Sequence, residues 1–587
     1  MTIGRCLAVI ALSPGGIVPP EIIERLSRDT MLQPRFTSAN LIVWAGADMP
    51  AIPLEPEAGI VIGTVFEGLF PARSIARFDA QQTGAILRSE GRDLHTHLWG
   101  RFVAFLRSAT ENEIRVVRDA SPACPIYFTK LGTCLALATQ VKDLERAGIA
   151  KPAIDLSYIA GHLQLRGFRS HRTALHGIEE LGPGEHLVAG AGTHRREQGW
   201  SPWSFAARST QIDDHRMAAD LLEKTVDATV GAWATRYRHA LLGVSGGLDS
   251  SIVAASLSRS DIGLTLLNLL SVEGSPGDER HFANVLGAGL GKEIRLATEA
   301  IANIDIRRSD AAHLPRPLSR AFSQSGSRNV EDLTAESGTD VVFSGGGGDN
   351  VFCYIQSSAP VADRLLCHAG PGKIFETVRD VSRLSGDGAP RVVRSALKRR
   401  GRRHPAYMWK PDFSFLGDAY QTAEFDVRCH PWLMPSSGRL PGKLEHIGLL
   451  VLISNFTEGF GYERKYPVLY PLLSQPVVEL CLRIPSWMWC RNGVNRAPAR
   501  DAFRHRLPLE IIQRTTKGSF DRLAIELIER RTQEIEEFLC SGFLSDAGLI
   551  KSDDVRRVIQ RRAAYSELIW ARILALVDVE AWCRSWA

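Results

Sequence analysis

Two textures of hydrophobic patterning divide this chain. Over the first 190 or so residues, short β-like runs alternate with turns: Leu41-Ile42-Val43-Trp44, Gly59-Ile60-Val61-Ile62-Gly63, Phe102-Val103-Ala104-Phe105-Leu106, Ile114-Arg115-Val116-Val117 and Cys134-Leu135-Ala136-Leu137-Ala138. This spacing predicts a strand-rich domain with few long helices. The apolar run Leu7 to Leu12 is short and is followed by Pro14, Gly15 and Gly16, so it reads as a first strand and not as a signal peptide. A turn-rich passage, Leu181-Gly182-Pro183-Gly184-Glu185-His186, leads to a last strand and then to Trp200-Ser201-Pro202-Trp203, which puts a domain boundary near residue 205.

From Asp213 the pattern changes to amphipathic helices punctuated by buried strands. Met217 to Val230 carries apolar residues at helical spacing, and the strand at Leu241 follows it. Leu264 to Val272 is a continuous apolar run of the kind found in parallel sheets. Phe282, Val285, Leu286 and Leu290 mark the inner face of the next helix, and Val341-Val342-Phe343 supplies another buried strand. The order β, α, β, α, β predicts a doubly wound parallel sheet whose ligands sit beyond the strand C-termini. Beyond residue 360 the pattern is mostly helical. The apolar run Ile447 to Ile453 is far below bilayer-spanning length, and no membrane anchor is expected.

Length and composition agree with two domains, residues 1–205 and 206–587, since 587 residues exceed one ordinary core. A net charge of +5 is small for this length and does not argue for nucleic acid. Ten cysteines are scattered without a Cys-x-x-Cys pair, which favours free thiols and a cytoplasmic location over a metal site or disulfide framework. The basic run Lys398-Arg399-Arg400-Gly401-Arg402-Arg403 reads as a solvated helix end or loop, with docking of an acidic partner as the functional alternative.

Two glycine-rich loops carry the candidate chemistry. The strand at Leu241 runs into Val244-Ser245-Gly246-Gly247-Leu248-Asp249-Ser250-Ser251, where small residues let backbone N–H groups approach phosphate oxygens. The helix expected over Ser250 to Arg259 aims its positive end at the same anion, and Asp249 offers a carboxylate for Mg²⁺. A P-loop is excluded, because no lysine sits in this turn. About a hundred residues later comes Ser344-Gly345-Gly346-Gly347-Gly348-Asp349-Asn350-Val351-Phe352. Four consecutive glycines are costly to order, so something requires bare backbone there, and a nucleotide lying across the sheet edge is the natural candidate. Asp349 is placed to share Mg²⁺ with Asp249.

The first loop resembles the PP-motif of ATP pyrophosphatases, and the pair of loops resembles the synthetase half of the asparagine synthetase superfamily. Val117-Arg118-Asp119, Tyr127-Phe128 and Leu181-Gly182-Pro183-Gly184 are similar to the Ntn-type amidotransferase-like N-terminal domain of that superfamily, a β-rich sandwich. Tyr470-Pro471-Leu472-Leu473 and Arg514-Thr515-Thr516-Lys517-Gly518 resemble its C-terminal landmarks. The resemblance implies cleavage of ATP between the α and β phosphates and adenylation of a substrate oxygen. It further implies that Ser245, Gly246, Gly247, Asp249, Ser250 and Ser251 hold pyrophosphate, that Asp249 and Asp349 hold Mg²⁺, and that Val244, Val272, Ser344 and Gly345 border the adenosine. Lys517 would meet the α-phosphate or the developing oxyanion.

Departures from asparagine synthetase narrow the expectation. Glutamine-dependent members use an N-terminal cysteine after loss of the initiator methionine, whereas residue 2 here is Thr2 and the nearest thiol is Cys6. Thr64, Val65, Phe66 and Glu67 stand where an Asn-Gly pair for the oxyanion hole is expected, so the N-terminal domain is expected to make no ammonia. Gly346 and Asn350 replace two acceptor-site carboxylates, and the vacated space suits something larger than aspartate. Among branches that use an amine already in the substrate, the lasso-peptide macrolactam synthetases resemble this chain better than the β-lactam synthetases, through the loop at Gly345 and the segment Pro471 to Glu479. The expected substrate is therefore a precursor peptide, with a leader peptidase and recognition proteins as partners. Glu279 and His281 are candidate bases, and a polar helix start is the plainer reading of the histidine. Asparagine synthetase and a non-catalytic scaffold of the same fold are the alternatives.

Overall fold

The computed structural model describes residues 4–28, 31–55, 57–108, 113–270, 278–318, 323–401, 408–422, 426–434, 438–457, 464–515, 521–560 and 567–587. Thr2, Val272, Arg402, Arg403 and Lys517 lie outside the described residues.

Up to Gln198 the chain builds two antiparallel sheets. The first has six strands in the order Glu179–Leu181, Ile126–Leu131, Cys134–Ala138, Cys6–Ala11, Leu41–Ala45 and Gln33–Thr37. The second runs Thr193–Gln198, Glu185–Gly190, Ile114–Arg118, Leu98–Arg107, Gly59–Glu67 and Ala51–Leu54, with Arg73–Ser74 paired beside Gly59–Glu67. Alternate residues explain why the sheets face each other. Ala8, Ile10, Leu41 and Val43 of one sheet share a core with Ile60, Ile62, Val103 and Phe105 of the other. Their outward neighbours Leu7, Val9 and Trp44 are buried again, against Leu314, Leu527 and Trp582 from later in the chain. Strands covered on both faces lose polar alternation, and this is why they read as unbroken apolar runs.

The second half is organised around a five-stranded sheet, parallel throughout, in the order Ile294–Thr298, Gly263–Leu270, His239–Gly243, Val341–Phe343 and Val468–Leu469. The chain enters at the centre, winds outward to Ile294–Thr298, then crosses back to Val341–Phe343. The order of winding reverses between His239–Gly243 and Val341–Phe343, which makes the crevice beyond those two strands the ligand position of a doubly wound sheet.

The expected β, α, β, α, β order is incomplete. Strand Ile294–Thr298 and helix Gln324–Ser337 intervene before Val341. Ile294–Thr298 is an edge strand with Arg295, Leu296 and Thr298 exposed, so it lacks the continuous apolar run that marked the others. The helix expected over Ser250 to Arg259 spans Leu248–Leu257, because Gly247 serves as its N-cap and Asp249 already lies in the first turn. The helix after Asp213 runs His215–Ala234, its start fixed by the Asp214 carboxylate accepting from the Met217 N–H at 2.6 Å.

The remainder is helical, from Ala359–Leu366 to Glu567–Trp586. Lys398, Arg399 and Arg400 form the last turn of helix Ala389–Arg400, where cations complement the helix dipole, and Arg399 is ion-paired with Glu445. The run Ile447 to Ile453 lies within helix Pro441–Thr457. Among the described residues no helix is long and apolar enough to cross a membrane. The cysteines are free thiols, most of them buried.

Candidate active site

The two glycine loops meet at the point where the sheet reverses its winding. Val244 continues the line of its strand, its N–H donating to Leu267 O at 2.7 Å while its carbonyl accepts from the buried Asn268 amide at 2.7 Å. The chain then turns sharply. Gly246 has φ +62°, and a Cβ there would lie 2.3 Å from the Phe282 Cβ, so no side chain fits. Serine hydroxyls tie the turn together: Ser245 Oγ accepts from Gly247 N–H at 3.3 Å, and Ser250 Oγ donates to Gly247 O at 3.3 Å. Ser251 is buried and donates to the same carbonyl at 2.8 Å, shaping the loop from behind. What remains is a compact loop capping helix Leu248–Leu257, whose first-turn N–H groups have no partner within the helix.

The second loop leaves its strand at Ser344, whose N–H donates to Leu469 O at 2.9 Å and whose Oγ accepts from Gly346 N–H at 3.0 Å. Its glycines are bare because the protein itself packs against them. A Cβ on Gly345 would lie 2.6 Å from the Ser250 nitrogen, and one on Gly348 would lie 2.3 Å from Asp249 Cγ. A Cβ on Gly346 would lie 3.1 Å from the Tyr470 ring, and one on Gly347 would lie 2.7 Å from the Leu473 side chain. Contact between the two loops, and with Tyr470 and Leu473, by itself already calls for bare backbone at these glycines.

This contact brings the two carboxylates to one cation. Arg496 Nη1 donates to Asp249 Oδ1 and Oδ2 at 2.9 and 3.1 Å and to Asp349 Oδ1 at 2.5 Å. Arg496 precedes helix Ala497–Ala502 with a left-handed backbone, φ +56°, uncommon for a residue other than glycine. Its guanidinium also lies 5.3 Å from the Tyr354 ring centroid. One turn on, the buried Arg500 holds the approach to Arg496: Nε donates to Asn495 O at 2.8 Å, Nη2 to Asn495 Oδ1 at 2.8 Å and to Arg514 O at 3.0 Å. Burial, with Arg496 nearby, pushes the Arg500 guanidinium down to about 10. Arg514 in turn donates to Ser245 O at 2.7 Å, pairs with Glu279 at 2.6 Å and lies 4.1 Å over the Phe282 ring. Three arginines from one C-terminal segment thus brace the first loop and bridge both aspartates.

Other expected residues fall as follows. Asn350 is spent structurally, its amide donating to Leu449 O at 2.8 Å. Glu279 is the N-cap of helix Arg280–Leu290 and is engaged by Arg514, while the exposed His281 pairs with Glu510 at 2.9 Å. Thr64 to Glu67 lie within strand Gly59–Glu67. Arg118 donates to Leu181 O and pairs with Glu180, so two of the N-terminal landmarks meet in space. Arg496 and Arg500 were not marked by any motif. The available signal was two arginines four apart at a helix start, a spacing that places both on one face.

The family model described as asparagine synthase matches residues 221–404 and 465–584, a little over half of the chain. No curated protein matches the sequence. Among solved structures, similarity is found to one titled as the allosteric regulatory enzyme of purine biosynthesis, at 11% identity over 58% of this chain and 83% of the other, with a TM-score of 0.21. A glutamine phosphoribosylpyrophosphate amidotransferase from B. subtilis complexed with ADP and GMP is similar at 11% identity over 58% of this chain and 84% of its own, with a TM-score of 0.20. Superpositions at these scores do not establish a shared overall fold.

Proposed function

The chain belongs to the asparagine synthase family, whose chemistry is ATP-dependent amide-bond formation, and on that premise we propose that it is a lasso-peptide cyclase. Its substrate is a processed precursor peptide, delivered in the cytoplasm by a leader peptidase and recognition proteins. An Asp or Glu side-chain carboxylate of the peptide attacks the α-phosphorus of ATP, forming an acyl-adenylate and expelling pyrophosphate. The peptide's N-terminal amine then attacks the acyl carbon, closing the ring with an isopeptide bond and releasing AMP.

The observation that carries the ATP-dependent part of this reading is the convergence of Asp249 and Asp349 on a single cationic group at the reversal point of a parallel sheet. Two carboxylates from two strand ends suit Mg²⁺, which takes one or two protein carboxylates and fills its shell with phosphate oxygens and water. Asp249 and Asp349 would hold it, and it would neutralise polyphosphate charge. Ser245, Gly246, Gly247 and Ser250 supply the short, glycine-bared turn that admits pyrophosphate, and the start of helix Leu248–Leu257 adds its dipole. Val244, Ser344 and Gly345 border the adenosine in this reading, and Val272 and Lys517 complete it, the lysine beside the α-phosphate.

The peptide substrate rests on what is missing. Gly346 and Asn350 stand where an aspartate-handling site needs carboxylates, and Asn350 is tied to Leu449. The enzyme's work is then mainly positioning, since ring closure is intramolecular once the tail is threaded. Incubation with ATP, Mg²⁺ and the precursor peptide is expected to give pyrophosphate, AMP and a product one water lighter. Asp249→Ala is expected to abolish pyrophosphate release. Unchanged turnover in that variant would overturn the site, and conversion of aspartate to asparagine by the pure protein would overturn the substrate.

A further inference from the structure

We infer that Arg496 is a metal-excluding latch: in the nucleotide-free protein its guanidinium takes the place of the divalent cation between Asp249 and Asp349, so that metal binds only together with nucleotide. This deepens the reading above and rests on it. The argument is one of space and charge. Nη1 lies 2.5 to 3.1 Å from three oxygens of the two carboxylates. A Mg²⁺ ion bridging them needs oxygens at about 2.0–2.1 Å and near-octahedral freedom. Ion and nitrogen cannot share that position, and two cations side by side there would repel strongly in a partly buried site. Both carboxylates and the guanidinium are mostly shielded, the three side chains being 15%, 27% and 13% exposed.

The latch is built in and not a wandering surface arginine. Its backbone is held left-handed at φ +56°, an observed outlier of the kind that accompanies function. Arg500 fixes Asn495 immediately before it by backbone and side chain, and Tyr354 lies beside the guanidinium. Release requires a competing anion. A polyphosphate provides one, because guanidinium pairs with phosphate through the same planar donors that it offers to carboxylate. Polyphosphate therefore draws off the arginine and brings the cation that replaces it.

The test is Mn²⁺ binding followed by electron paramagnetic resonance on the full chain, with Mn²⁺ as the probe. Wild type is expected to bind Mn²⁺ in the presence of ATP and weakly without it. Arg496→Met, with Arg496→Gln as a second variant, is expected to bind Mn²⁺ without nucleotide at least about tenfold more tightly than wild type, as removal of a unit charge at contact distance implies. The gain is expected to vanish when Asp349→Asn is added. A purely structural arginine would, on its removal, leave unchanged the ratio of Mn²⁺ affinities with and without ATP, which the latch reading expects to fall. Wild type binding Mn²⁺ equally with and without ATP, or no gain in either variant while wild type with ATP binds normally, overturns the latch alone. Absence of Mn²⁺ binding to wild type even with ATP overturns the metal-dependent reading and the latch with it.

Discussion

At Gly348 one methyl group decides whether the site can assemble. Its added carbon would overlap Asp249 Cγ at 2.3 Å, and the equivalent carbon on Gly345 would strike the Ser250 nitrogen at 2.6 Å, backbone that cannot rotate away. Gly348→Ala and Gly345→Ala are therefore expected to push the loops apart, costing about 1–3 kcal/mol of stability. In the proposed reaction they would depress ATP-dependent pyrophosphate release far more than a surface Gly→Ala change such as Gly372→Ala, where nothing lies within 4 Å. Urea unfolding and a pyrophosphate assay check both parts, and a fully active, fully stable Gly348→Ala protein would contradict the packing. The two loops were legible in the sequence as Gly-rich, Asp-ended turns after buried strands. Their mutual contact was not, because a run of glycines looks the same whether a ligand or another loop needs the space.

Among the elements, helix Ala359–Leu366 shows how a buried charge couples packing to pH. Asp363 is fully buried, accepting from the Gly442 N–H at 2.8 Å and from Ser486 Oγ at 2.6 Å, and so clamps this helix to Pro441–Thr457 and Ser486–Trp489. Burial pushes its carboxyl up to about 7, against the pull of those hydrogen bonds and of Lys443. A carboxyl that holds its proton more tightly when folded favours the folded state at low pH. That contribution is full below the ordinary value near 3.8 and is lost as pH rises toward about 7. Asp363→Asn is expected to gain stability relative to wild type between pH 4 and pH 8, by a few kcal/mol, since each tenfold change in proton affinity is worth about 1.4 kcal/mol. Parallel stability–pH profiles for the two proteins would contradict this. Elements with both faces buried, or with a strong helical stripe, were legible from periodicity. Ile294–Thr298 escaped because an edge strand need not be apolar, and Val468–Leu469 because two residues carry no period.

On the scale of the molecule, the antiparallel and parallel halves share their cores. Phe66 and Trp99 from the first half stack at 4.6 Å, and Trp233 from the second meets Phe66 edge-on at 5.0 Å. Gln475 donates to His95 O at 2.6 Å, and Trp200 donates to Glu479 at 2.8 Å. Glu180 gathers Arg118 and Arg169 with Arg316 from the later half. Burial alone would raise the Glu180 carboxyl, and these three arginines bring it down to about 2. Continuous cores and a buried ion cluster that crosses the junction predict one cooperative unfolding transition by calorimetry. Two well-separated transitions would show that the halves fold independently.

Taken alone, the sequence determined the two textures, most buried strands, both glycine loops and the acids that end them, because these depend on neighbours along the chain. It also carried the family resemblance, and Thr2, Gly346 and Asn350 as departures from it. Only the tertiary structure decided that the glycines serve contact between the loops, that Asn350 holds Leu449, and that Arg496, Arg500 and Arg514 close the site. Arg496 and Arg514 lie about 150 to 270 residues away along the chain from the loop groups they touch. No local period or propensity encodes a pairing at that separation; it exists only once the parallel sheet has reversed its winding and set two strand ends side by side.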